Sequence, residues 1–167
     1  MSTKATVSSN VIVNKDKPLA LFTVNDALNL IANQIFTDGT GDNQVNKLYS
    51  AQISTSGSGY NLNVYSFGGV KDALGQTYAL QAVRLLLIQN LNQNNLIVSI
   101  NGGLGNAWTY LFSGVVDGSF RVSAGGLLVM TAPINAGYSV NSGMNTINIA
   151  DEFSLSTTFN VIVLGYQ

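Results

Sequence analysis

The sequence predicts an all-β chain: an antiparallel β-sandwich or jelly-roll-like domain over 47–167, preceded by an N-terminal arm, 1–46, that carries one short helix at about 24–36. Three observations predict it. Roughly nine or ten short segments of strand character, broken by Gly and Asn turns, recur about every ten residues. One of them, Val83 with the run 85–88, is almost continuously apolar yet far shorter than a membrane span, the mark of a strand covered on both faces. No stretch of helical period separates the strands of 47–167, as a parallel sheet would require.

Residues 1–22 hold Lys4, Lys15, Asp16 and Lys17 around a small Val11-Ile12-Val13 cluster, too little apolar content for a core. Two readings stay open. One is a reaching arm whose twenty-odd residues, fully extended, span roughly 70 Å and lie on a neighbouring subunit; the other is an edge strand at 11–13 that pairs within its own chain. In 23–36, Val24, Leu28, Ile31 and Ile35 fall at i, i+4, i+7 and i+11 with Ala27 beside them. Thr23 and Asp26 resemble a capping box, so the period predicts a helix, ended by Asp38-Gly39. The expected partner contacts are Val11, Ile12, Val13, Leu28, Ile31 and Ile35.

The sandwich begins with 47–54 and 60–66, expected to pair as a hairpin around a Ser- and Gly-rich turn. The central strand follows, and after the Asn-rich turn 90–95 comes a strand in which Leu96, Val98 and Ile100 alternate with Ile97 and Ser99, read as its hairpin partner. In the central strand Leu85 and Leu87 are expected to face one interior and Leu86 and Ile88 the other, all fully buried. Residues 107–112 read as a short strand with Trp108, Tyr110 and Phe112 on one face. Strands near 120–122, 127–131, 138–140, 146–149 and 158–164 complete the set.

Only 9% of the chain is charged, against roughly 25% in ordinary domains, and the net charge is -1. No Lys/Arg cluster offers the phosphate neutralisation that nucleic-acid binding draws on, and no apolar run approaches the ~20 residues of a spanning helix. Neither nucleic acid nor membrane is an expected partner. A surface this poor in charge predicts self-association.

Cysteine and histidine are both absent, which removes thiolate sites and the commonest general base. Asp151 and Glu152 are adjacent, so on a strand they point to opposite faces and cannot converge on one bond. Arg84 and Arg121 read as structural, paired with Asp72 or Asp117. The expectation is no enzyme and no cofactor. Two weaker candidates remain. Asp38, Asp42 and Asn43 surround a Gly-Thr-Gly and offer hard oxygen ligands for calcium, but without EF-hand spacing; a plain turn is the competing reading. Trp108, Tyr110 and Tyr138 offer a stacking platform for a sugar, with core aromatics as the competing reading.

From about residue 38 to 165 the order of motifs resembles a family of small tailed-phage virion proteins that serve as head or tail structural components. The resemblance lies in TDGTGDNQVNKLYSAQ, GGVKDALGQTYALQAVRLLLIQNL, VSAGGLLVMTAPINAGYSV, INI and the closing FNVIVLGY. It implies a β-sandwich virion protein: a decoration or cement protein of the capsid surface, made in the host cytoplasm, contacting the major capsid protein and forming homo-oligomers, with a trimer as the candidate order. The alternative it leaves open is a tail or head-fibre component or carbohydrate-binding module touching the host surface. Ala124 stands where the pattern has Pro before Gly125-Gly126, and 1–36 has no counterpart in it.

Overall fold

A computed structural model of the chain describes residues 4–18, 23–71, 76–100, 105–112, 118–134 and 136–167, with the backbone alone described over 9–18 and 23–32 and at Phe112. Among the described residues nine strands form two antiparallel sheets. In the first, β10 (Tyr138–Ser139), β6 (Ala82–Asn90), β12 (Thr157–Tyr166) and β4 (Lys47–Thr55) lie in that order, and β9 (Leu127–Thr131) also pairs with β6. The second runs β5 (Tyr60–Asn63), β11 (Thr146–Asp151), β7 (Leu96–Ser99), β8 (Ser119–Val122). Alternate residues of both sheets meet between them: Leu86, Ile88, Phe159, Val161 and Val163 from the first, Leu62, Leu96, Val98, Ile147 and Ile149 from the second. This is the all-β sandwich the spacing of strands predicts.

The pairing differs from the predicted hairpins. Strand β4 pairs with β12 and β5 with β11, so 56–59 crosses from sheet to sheet instead of turning back within one. Strand β6 likewise pairs with β12, β9 and β10, while β7 pairs with β11 and β8. Asn90 explains how 91–95 makes that crossing. It is fully buried, and its Nδ2 donates to the carbonyl oxygens of Asn94 at 2.7 Å and of Val122 and Ser123 at 3.1 Å, while its Oδ1 accepts from the Asn92 amide at 2.9 Å. One side chain thus satisfies backbone groups of the crossing loop and of the end of β8 (Ser119–Val122).

The predicted helix is a strand. Strand β1 (Ala5–Pro18) pairs antiparallel with β2 (Thr23–Asp38) in unbroken register from Ala5 opposite Phe36 to Pro18 opposite Thr23. Two patterns coexist in 23–38. The helical stripe competes with an alternation that puts Val24, Leu28, Leu30, Ala32 and Phe36 on one parity and Asn25, Asn29 and Asn33 on the other. Asn is a poor helix former, and β1 supplies a complementary alternating partner, so tertiary pairing overrides a weak local preference. The arm therefore pairs within its own chain as a two-stranded ribbon. Register divides the expected contact residues between its faces: Val11, Val13 and Leu28 share one parity class, and Ile12, Ile31 and Ile35 the other. Their side chains, except that of the exposed Ile35, lie outside the described residues.

Beyond Phe36 the chain makes β3 (Gln44–Val45), which pairs parallel with Thr37 and Asp38 and ties the ribbon to the body. Residues 109–112 form a 3-10 turn, not the strand predicted there, after Ala107 bridges to Thr146.

Candidate interaction surface

The root of the ribbon is where it meets the sandwich. Phe36 and Val45 are fully buried against Leu85 and Leu164, with Ala5, Val7 and Ile162 packed around them. Alternation produces this contact: over 4–8 the odd residues are partly buried and the even ones exposed, so at its root one ribbon face is covered and the other wet. The sheet side depends on a bulge. Leu85 pairs with Leu164 and Val83 with Gly165, which leaves Arg84 as an inserted residue beside the root. Gly165 permits the bulge, because a Cβ there would run into the carbonyl oxygen of Ala82.

Arg84 is fully buried and clamps the loop that follows the ribbon. Its Nη1 donates to the carbonyl oxygens of Gly41 at 3.0 Å and Pro133 at 3.1 Å, its Nη2 to that of Thr40 at 3.2 Å, and its guanidinium lies 4.9 Å from the centre of the Tyr166 ring. The structural reading of this arginine thus takes carbonyl partners; Asp72 and Asp117 lie outside the described residues. Arg121 instead pairs with Glu152, which also accepts from Asn95 Nδ2 at 2.7 Å. Asp151 is buried, and its Oδ1 accepts the backbone amides of Phe153 and Leu155. The two adjacent carboxylates are therefore used separately, one in a turn and one in an ion pair.

The calcium candidates stand in the clamped loop. Asp38, Asp42 and Asn43 are all exposed; Asn43 adopts φ 56°, and its Oδ1 accepts from Gln34 Nε2 at 2.7 Å. The carbonyl oxygens of Thr40 and Gly41 accept from the guanidinium of Arg84, which occupies the inner side of the loop. Among the described residues no three His, Cys, Asp or Glu side chains converge on a metal-sized space. The loop is a turn held by an arginine.

The aromatic platform is not assembled. Trp108 is 0% exposed, its Nε1 donates to the Ser139 carbonyl at 2.7 Å, and its ring meets that of Tyr138 edge-on at 6.2 Å. Tyr110 is exposed on the 3-10 turn. A sugar needs a free aromatic face, and the indole has none, so Trp108 is core.

The outer face of the first sheet stays partly exposed, with apolar and polar residues mixed in its rows. Register aligns Thr131, Leu85, Leu164 and Leu48 across the first sheet, then Val129, Leu87, Ile162 and Ser50, then Leu127, Gln89, Asn160 and Gln52. This outer face carries no charged residue in those rows. The ribbon root covers Leu85 and Leu164, but Leu87 is only half-buried, contrary to its expected full burial, because nothing described lies over it. Sequence reasoning missed Leu48, Leu127 and Val129, although their place in alternating strands was readable.

Compared with known proteins, the chain matches no family model, no curated protein and no solved structure.

Proposed function

We propose that this chain is a non-enzymatic structural subunit of a virion, seated on the capsid surface as a decoration or cement protein and acting through contacts with the shell and with other copies of itself. The ribbon is the observation that carries this reading: all 14 residues of β1 pair with β2, and among the described residues the only other strand joined to the ribbon is the two-residue β3. A two-stranded ribbon of that length is marginal in water by itself, which favours a partner surface. The side chains that suggest chemistry support the same reading. Asp151, Glu152, Arg84 and Arg121 are engaged in turns, ion pairs and loop clamps. A lattice also suits a surface of low charge, since repeated modest contacts add through multivalency.

The test is to add the purified full-length chain to phage particles depleted of it and to image them. The expected outcome is saturable binding with copies in lattice-ordered positions on the head. A few copies confined to a tail tip would favour the host-contact reading, and no binding at all would overturn the proposal.

A further inference from the structure

Two faces of this chain carry aliphatic residues at matching strand parity, and the first of them is left partly open among the described residues. The first is the outer face of the five-stranded sheet. Around the patch that the ribbon root covers, Leu48 is 50% exposed, Val129 39% and Leu127 56%, with Leu87 and Ile162 half-buried between them. The second is the continuation of the ribbon face that does the covering. Ala5, Val7 and Phe36 seat on Leu85, Leu164 and Ile162, and at the same strand parity the register then places Val11 opposite Leu30 and Val13 opposite Leu28.

We infer that the ribbon of one copy lies, by its Val11, Val13, Leu28 and Leu30 positions, on the Leu48, Leu127 and Val129 face of a second copy. The inference rests on the structural-subunit reading and names one of the subunit's partners. The contact within the chain is the model for the contact between chains: this face of this ribbon already seats on this face of this sheet. A second copy is the one molecule certain to present the same sheet beside the same covered patch, so the new contact is continuous with an existing one. Charge raises no obstacle. The three sheet rows hold no charged residue, nor do the ribbon pairs from Ser9 with Ala32 to Val13 with Leu28, and where charge begins, Lys15 stands opposite Asp26. Seating the ribbon removes the apolar area of the sheet face from water, and it supplies the further layer that an isolated hairpin lacks.

Light scattering coupled to size exclusion reads the outcome in the full chain. The wild type is expected at a multiple of 17.6 kDa. Val129→Asp, on the sheet, and Leu28→Asp, on the ribbon, are each expected to run as the monomer with an unchanged β-type circular dichroism spectrum. An equimolar mixture of the two is expected to associate again, because one copy keeps an intact ribbon and the other an intact sheet face. The absence of cysteine permits a second measurement that needs no disruptive charge. A mixture of Val13→Cys and Val129→Cys copies, treated with a bismaleimide, should give a cross-linked dimer that neither variant gives alone. A monomeric wild type, Asp variants that assemble normally, a mixture that stays monomeric, or a mixed cysteine sample with no cross-link would each overturn the inference. Particle binding keeps the two readings apart. A monomeric chain that saturates particles sinks this contact alone, and a self-associating chain that ignores particles sinks the virion reading alone.

Discussion

The inner and outer faces of the five-stranded sheet both carry aliphatic residues on the central strands, and these have different fates. On the inner face Leu86, Ile88, Phe159 and Val161 are fully buried because a second sheet of the same chain lies over them. On the outer face Leu85 and Leu164 are buried only under the ribbon root, while Leu87 and Ile162, one row further, are half-covered and Val129 and Leu127 are open. A strand that is apolar on both sides reports how many faces need cover. It does not report what supplies the cover, and here one face is closed by the fold and the other is closed in part by an arm.

The largest expected effect sharpens that contrast within two neighbouring residues. Leu86→Ala opens a cavity between two sheets and is expected to cost about 4 kcal/mol, in the upper half of the ~2–5 kcal/mol range for such truncations. Leu87→Ala removes a half-buried side chain with solvent beside it, and about 1 kcal/mol is expected. Urea unfolding of both variants, run at a concentration where the wild type is monomeric, gives the comparison. Equal costs would mean that the outer face is sealed within the single chain.

Phe36→Ala comes next, since it removes the only fully buried aromatic among the described residues of the ribbon root. The cluster beneath it is small and close to solvent, so its collapse is easy and the low end of ~3–5 kcal/mol is expected. The variant should also bind a hydrophobic dye more strongly than the wild type, because Leu85 and Leu164 lose their cover. A loss of stability with unchanged dye binding would mean that other residues close over the patch.

These faces also show what was legible beforehand. The strands of the sandwich were readable because alternation such as Phe159, Val161 and Val163 against Asn160 and Ile162 admits a single periodicity. Strand partners were not, because alternation states which face is apolar and leaves the neighbour unnamed. A short loop such as 91–95 serves equally as a hairpin turn or as an arch between sheets, and burial of Asn90 decided the matter through carbonyls of 94, 122 and 123 that no local pattern brings together. The strand at 11–13 pairing within its own chain, one of the two open readings, is part of β1, whereas the helix expected at about 24–36 is a strand because that segment satisfies a helical and a strand period at once. The signal that separates them is the matching parity of Val7, Val11 and Val13 upstream. The row of Trp108, Tyr110 and Phe112, open to a platform or a core reading, exists only if 107–112 is a strand; a 3-10 turn breaks it and leaves Trp108 in the core.

The smallest expected effect tests whether the inner face stays dry to its edge. Tyr49 lies on the edge strand β4, stacked on Phe67 with ring centres 4.1 Å apart and meeting Tyr78 edge-on at 6.3 Å, while its neighbour Leu48 faces outward. Burial, reinforced by repulsion from the phenols of Tyr60 and Tyr78, raises the Tyr49 pKa above its usual 10.0. Below pH 10.0 the phenol is protonated in both folded and unfolded chains, so its contribution is fully present and flat. Above that value the unfolded chain ionises first, so stability falls as pH climbs through the folded-state pKa. With no histidine or cysteine to titrate, melting temperature should change little between about pH 6 and pH 9, and then decline in the alkaline limb. Tyr49→Phe keeps the stacked ring and removes the ionisation, so it should make that limb shallower while leaving neutral-pH stability close to the wild type. The two melting curves, compared across the alkaline range, decide the point. Identical slopes would mean that water reaches the inner face at β4, and that the two sides of the sheet differ less than their burial indicates.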